Sequence, residues 1–110
     1  MNFNNFTIKS QEALQQAQLL TQSLEHQQIE NEHLFKAILE VDENVLPFIL
    51  KKLNVNNAML LQILDAILES LPKVSGGDIM LSREANKTIN EASIIAKKMN
   101  DDFVSIEHLI

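Results

Sequence analysis

Three histidines and a small group of carboxylates are the residues whose types could do chemistry in this chain. His26, His33 and His108 could ligate a metal or move a proton. Zinc-type sites bring imidazoles together through spacings such as H-x-x-x-H or H-E-x-x-H, and neither occurs here. His33 and His108 each stand three residues beyond an expected helix cap, Glu30 and Ser105, where an imidazole hydrogen-bonds within the first helical turn. They are read as structural, with no metal. Asp101, Asp102 and Glu107 lie close in sequence. Carboxylate pairs do acid–base work in dry pockets that shift their pKa values, and a polar turn offers none. The expected arrangement is a turn residue plus a carboxylate facing a helix N-terminus. There is no G-x-x-x-x-G-K-[ST] phosphate loop and no G-x-S-x-G nucleophile elbow, and without cysteine there is no thiol nucleophile. The sequence reads as a binding module rather than an enzyme.

Composition narrows the partners. Nine Lys and Arg stand against 15 Asp and Glu, a formal net charge of -6 with no basic cluster, so the phosphate neutralisation that nucleic-acid binding needs is missing. No apolar run approaches a membrane span, and the start MNFNNF lacks the basic and apolar regions of a secretory leader. Zero cysteines exclude disulfides and fit a reducing cytoplasm. The expected setting is cytoplasmic, with neither nucleic acid nor membrane as partner.

The elements that must position these residues follow from apolar spacing. Only two Gly and two Pro occur in 110 residues, too few turn formers for a sheet-rich fold. Ala13, Ala17, Leu20 and Leu24 recur at three- and four-residue steps behind the N-cap Thr7. A loop from His26 to Ile29 precedes a second helix from about Glu30 to Leu39. Asn44 is expected to cap a third, with Val45, Leu46, Phe48, Ile49 and Leu53, and Pro47 in its tolerant first turn. Asn56 caps a fourth, apolar on more than one side from Met59 to Leu71 and therefore expected to be central. Pro72 ends it, and Lys73 to Asp78, with Gly76-Gly77, reads as a linker. Ser82 then opens a fifth helix with Ala85, Ile89, Ala92, Ala96 and Met99 on one face, and Ser105 opens a last one.

A shift of 75 positions superimposes the second part on the first. Ala17 meets Ala92, Glu32 meets Glu107, His33 meets His108 and Leu34 meets Leu109. Thr7 pairs with Ser82, Leu14 with Ile89, Leu20 with Ile95, Leu24 with Met99 and Ile29 with Val104. Agreement at caps and apolar faces together indicates an internal duplication. The expected fold is all-α: a pseudo-twofold bundle of short helices, with repeat 1 over about 7–72, a linker at 73–79, and repeat 2 from about 82. Repeat 2 stops at 110, so it is expected to be truncated and the natural protein to continue. On the helical wheel Leu19 and Ile94, which are repeat partners, fall opposite the core stripe. They either fill the seam between repeats or form an apolar patch.

These features resemble a known family. The helix opened by Thr7, the I-E-x-x-H-L segment (Ile29, Glu30, His33, Leu34) and the D-x-F-V-S-x-E segment (Asp101, Phe103, Val104, Ser105, Glu107) are similar to the double-repeat N-domain of Clp AAA+ chaperones. The connector Leu71-Pro72, Val74 and Gly76-Gly77-Asp78 resembles the ClpB-type disaggregase branch. Asn31, where that branch often has proline, and His108-Leu109 depart from its usual pattern. The resemblance implies a mobile, non-catalytic domain on a hexameric ring whose ATP and Mg chemistry lies in other domains, with unfolded or aggregated polypeptides as partners. It further implies that Thr7, Asp101 and Glu107 engage substrate beside an apolar groove. Weighed against it are an adaptor-binding N-domain of a Clp protease ATPase, a homodimerising helical bundle, and an enzyme.

Overall fold

A computed structural model describes residues 3–74 and 77–110. Its elements are α1 (Ile8–Ser23), β1 (Gln28–Ile29), α2 (Asn31–Val41), α3 (Val45–Lys52), α4 (Asn57–Ser70), β2 (Met80–Leu81), α5 (Arg83–Lys98) and α6 (Ile106–Leu109). The chain is mainly helical, as the scarcity of turn formers requires.

Caps define the two long helices in the same way. The Thr7 hydroxyl accepts the Ser10 N–H at 3.2 Å, and the Ser82 hydroxyl accepts the Ala85 N–H at 3.0 Å, satisfying backbone donors that have no partner inside the helix. Both helices end on a left-handed residue, Glu25 (φ 60°) and Asn100 (φ 58°). The next N–H then closes back, His26 on the Thr21 carbonyl and Asp101 on the Ala96 carbonyl, each at 2.9 Å. Every one of these pairs is related by the shift of 75 residues.

The duplication is also written into the strands. β1 and β2 pair in parallel, Gln28 with Met80 and Ile29 with Leu81, and a further parallel bridge joins Phe6 to Val104. A pseudo-twofold exchanges the two joints: the Ser82 N–H donates to the Ile29 carbonyl at 3.0 Å, and the Thr7 N–H donates to the Val104 carbonyl at 2.9 Å. The loop expected from His26 to Ile29 therefore ends in a strand.

Between the joints lies a core shared by both repeats. Leu14 and Ile89, Ala17 and Ala92, and Ile29 and Val104 are buried together with Phe6, Leu34 and Ala37. Ala13, Ala17, Ala37 and Ala85 are wholly buried, and side chains this small let the helix backbones approach closely. A second cluster gathers Ile38, Leu46, Leu50 and Ile106. Leu46 is only 1% exposed, a burial of about 2–3 kcal/mol.

Several expectations are corrected. α4 is peripheral: it buries Leu64 and Leu68, while Met59 (60%) and Ile63 (53%) face solvent, because α2 covers one of its faces. Met99, expected in the α5 stripe, is exposed, since it sits on the C-cap where the helix has ended. Asn44 holds the cap position of α3 without a side-chain cap bond. Asp42 does that work, accepting the N–H groups of Asn44 and Val45 at 3.1 Å and of Leu46 at 2.6 Å. Helix α2 continues to Val41 rather than Leu39. Of the expected Gly76-Gly77 linker, Gly76 lies outside the described residues, as does Ser75; Gly77 has φ 87°, a conformation that favours glycine.

Candidate functional site

The start of α1 meets the start of α6 at the Phe6–Val104 bridge, and of the three expected site residues Thr7 lies directly on it. The Val104 N–H donates to the Asn5 carbonyl at 2.7 Å, and its carbonyl accepts from Thr7. The Thr7 hydroxyl also donates to Ser10 Oγ at 3.0 Å, so its cap geometry holds the side chain at the joint. One residue after Val104, the Ser105 N–H donates to His108 Nδ1 at 2.9 Å. The other ring nitrogen, Nε2, lies 2.9 Å from Asp101 Oδ2. Because Nδ1 accepts a backbone N–H, the neutral ring carries its proton on Nε2 and donates it to the Asp101 carboxylate. His108 is buried while Asp101 and Glu107 are exposed. Asp101 thus does more than serve as a turn residue, since it orients the histidine that caps α6. Glu107 lies in the first turn of α6.

Repeat 1 builds the same arrangement with a different partner. The Glu30 N–H donates to His33 Nδ1 at 2.9 Å, and His33 Nε2 lies 2.8 Å from His26 Nδ1. His26 occupies the position equivalent to Asp101. Burial, reinforced by the neighbouring His26, lowers the His33 pKa from 6.5 to about 4. Burial also lowers the His26 pKa, assisted by the Lys73 charge and opposed by Glu30. The i,i+7 spacing of His26 to His33 and Asp101 to His108 is a signal that the sequence contains and that comparison of identical residues passes over. Among the described residues, no three His, Asp or Glu converge as metal ligands.

Clefts supply the apolar part of the site. The larger, about 280 Å³, lies between α1 and the β1–β2 pair. Leu14, Ile29, Ile79 and Leu81 line it with Phe3, and Gln11, Gln15 and Gln18 stand along α1. None of its lining residues is charged, so it suits neutral apolar groups that also present hydrogen-bonding atoms. Thr7 lies one helical turn before Gln11, and none of Thr7, Asp101 and Glu107 lines the cleft itself. A second cleft of about 170 Å³ takes lining residues that are repeat partners: Ala13 and Thr88, Leu34 and Leu109, Phe35 and Ile110. It sits on the pseudo-twofold axis. Leu19 (59%) and Ile94 (53%) are exposed. The seam between repeats is filled by Leu14, Ile89 and the alanines instead.

Comparison with known proteins gives the context. The family of the Clp repeat N-terminal domain matches residues 5–110. The chain is 50% identical over 110 residues to the chaperone protein ClpB of Bacteroides thetaiotaomicron and 44% identical to that of Porphyromonas gingivalis, covering all of this chain in each case. It spans 13% of the length of those relatives. Among solved structures, the N-terminal domain of Hsp104 from Candida albicans superposes with a TM-score of 0.87 at 18% identity, covering 96% of this chain and 71% of that one. The N-terminal domain of the ClpV1 ATPase from E. coli gives 0.90 at 21% identity, covering 97% and 66%. These two structures support the fold alone.

Proposed function

The chain belongs to the Clp repeat N-terminal domain family, and from that premise we propose that it is the substrate-docking domain of an ATP-dependent disaggregase. It holds exposed apolar segments of unfolded or aggregated polypeptides. The observation that carries this reading is the uncharged cleft floored by Leu14, Ile29, Ile79 and Leu81 and edged by three glutamines. An unfolded segment exposes apolar side chains beside unpaired backbone amides. The cleft offers apolar surface to the first and side-chain amides to the second. Its small volume makes docking weak, and weak docking raises the local concentration of clients without trapping them. Thr7 at the start of α1, Asp101 on the histidine that caps α6 and Glu107 in the first turn of α6 engage the client segment beyond its apolar anchor.

The domain itself is non-catalytic on this reading. ATP and Mg²⁺ act in other parts of a full-length, hexameric, cytoplasmic protein. Among the described residues no helix is long and apolar enough to cross a membrane.

The test is the full-length protein carrying Thr7→Ala, Asp101→Ala and Glu107→Ala. Recovery of aggregated substrate should fall severalfold while ATP hydrolysis without substrate stays within about twofold. Unchanged aggregate recovery would count against the role of these three residues.

A second reading is capture of a folded adaptor, as in a Clp protease ATPase. The exposed apolar face of α3 and α4, with Phe48, Leu53, Met59 and Ile63, favours it. Binding that survives only with folded partners, and involves α4 rather than the cleft, would select this alternative.

A further inference from the structure

The two repeats differ at one position that decides how each joint responds to protons. We propose that the His26–His33 contact is a proton-operated latch on the β1–β2 joint, closed when His26 is neutral and opened when it is protonated.

The hydrogen-bond geometry allows one arrangement of protons in the neutral state. The Glu30 N–H occupies His33 Nδ1, so His33 carries its hydrogen on Nε2 and donates it across 2.8 Å to His26 Nδ1. His26 therefore carries its own hydrogen on Nε2, a buried atom with no partner among the described residues. An added proton must go to His26 Nδ1, where it faces the His33 Nε2–H. Two donors then oppose each other at hydrogen-bond distance. His33 cannot become an acceptor by switching tautomer, because that would set Nδ1–H against the Glu30 N–H. Protonation therefore breaks either the contact between the rings or the cap of α2.

The charged groups around His26 are known from each side. Glu25 precedes it at the end of α1, His33 and the N-cap Glu30 belong to α2, and Lys73 comes from the segment after α4. Lys73 disfavours the protonated ring and Glu30 favours it. Both rings are buried, His33 completely, so a broken contact is not replaced by water without movement.

That movement would act on the strand joint. The carbonyls of Glu25, Gln27 and Ile29 accept the N–H groups of Val74 (2.8 Å), Met80 (3.2 Å) and Ser82 (3.0 Å). All three acceptors lie in the short stretch between α1 and the N-cap Glu30, which the two histidines tie together. Ile29 and Leu81 also line the larger cleft, so opening would reshape it. This functional consequence rests on the docking reading, whereas the latch does not. The opposite joint has a carboxylate, Asp101, where this one has His26, so two ring donors can oppose each other on only one side of the pseudo-twofold.

Amide hydrogen exchange of the 110-residue chain at pH 7.5 and pH 5.0, corrected for intrinsic exchange rates, tests the proposal. Relative to the Thr7 and Val104 amides, which report any general loss of stability on acidification, protection of the Val74, Met80 and Ser82 amides should fall about tenfold or more at the lower pH. In His26→Asn, whose amide oxygen can accept from His33 without titrating, protection of Val74, Met80 and Ser82 relative to Thr7 and Val104 should stay within about twofold between the two pH values. Unchanged protection in the wild type, an equal loss in His26→Asn, or an equal loss at Thr7 and Val104 would each overturn the latch. Imidazole ¹⁵N shifts of the wild type provide a check that needs no variant. Nδ1 of both rings must be unprotonated at pH 7.5, and a protonated His26 Nδ1 there would also overturn it.

Discussion

Removal of the Asp42 side chain is the sharpest test of how this fold is held. Asp42 is 6% exposed, and its own N–H closes α2 on the Ile38 carbonyl at 2.9 Å. Its two carboxylate oxygens accept the N–H groups of the N-cap Asn44 and of Val45 and Leu46, the first two residues of α3, so one residue ends a helix and begins the next. Burial alone would raise its carboxyl pKa, but the backbone donors of Leu46, Asn44 and Val45, with Lys9, outweigh burial and hold it below the usual value. A hydrogen bond to a charged group contributes about 1.5–3 kcal/mol net, and bonds sharing one acceptor group do not add in full. Asp42→Ala should therefore cost about 3 kcal/mol. Asp42→Asn, which keeps one acceptor oxygen, should cost about 1–2 kcal/mol. In urea unfolding at pH 7 followed by helical circular dichroism, the larger loss lowers the midpoint by about 1–2 M. A depressed carboxylate pKa stabilises the fold above the unfolded value of 3.8, and that contribution is lost as pH falls through the folded value. The gap between wild type and Asp42→Asn should accordingly narrow below pH 3.8. An Asp42→Ala loss under about 0.5 kcal/mol, or a gap that does not change with acidification, would refute this account of the α2–α3 corner.

Two further outcomes follow from burial. The His33 pKa of about 4 against 6.5 unfolded means that the unfolded chain takes up the proton first, so stability is complete above pH 6.5 and is lost down to about pH 4. At 1.36 kcal/mol per unit the displacement corresponds to about 3 kcal/mol, measurable as a fall in urea midpoint that His33→Gln largely removes. Ala17 is wholly buried between the repeats, so Ala17→Leu should overpack that core by about 1–3 kcal/mol. A variant with an unchanged melting temperature would show that the repeats are not closely packed there.

Much of this architecture was legible in residue types. Thr7, Asn56, Ser82 and Ser105 marked helix starts because short polar side chains reach backbone donors that nothing else in the helix can satisfy. Apolar partners at a shift of 75 marked the pseudo-twofold because both copies bury the same face. The strand joints were not legible, since two residues such as Gln28-Ile29 are too few to show alternation. Asp42 was passed over for Asn44 because a cap set back by two residues leaves the same local pattern. The exposure of α4 escaped because apolar spacing shows how many sides are greasy and not which one a neighbour covers. The site divided in a similar way. His33 and His108 were recognisable as first-turn histidines, whereas the partners His26 and Asp101 differ in type and so left no identity to notice. The cleft joins α1 and the nearby residue 29 to residues 79 and 81, distant in sequence, which the β1–β2 pairing brings beside them.

Docking itself is tested most directly by titrating the ¹⁵N-labelled chain with a permanently unfolded polypeptide and following backbone amide signals. Shifts concentrated at Gln11, Leu14, Gln15, Ile29 and Leu81, with smaller ones at Thr7, Asp101 and Glu107 and none from a folded control protein, are the predicted result. Spectra unchanged by the unfolded chain, or shifts confined to α4 and matched by the folded control, would contradict it.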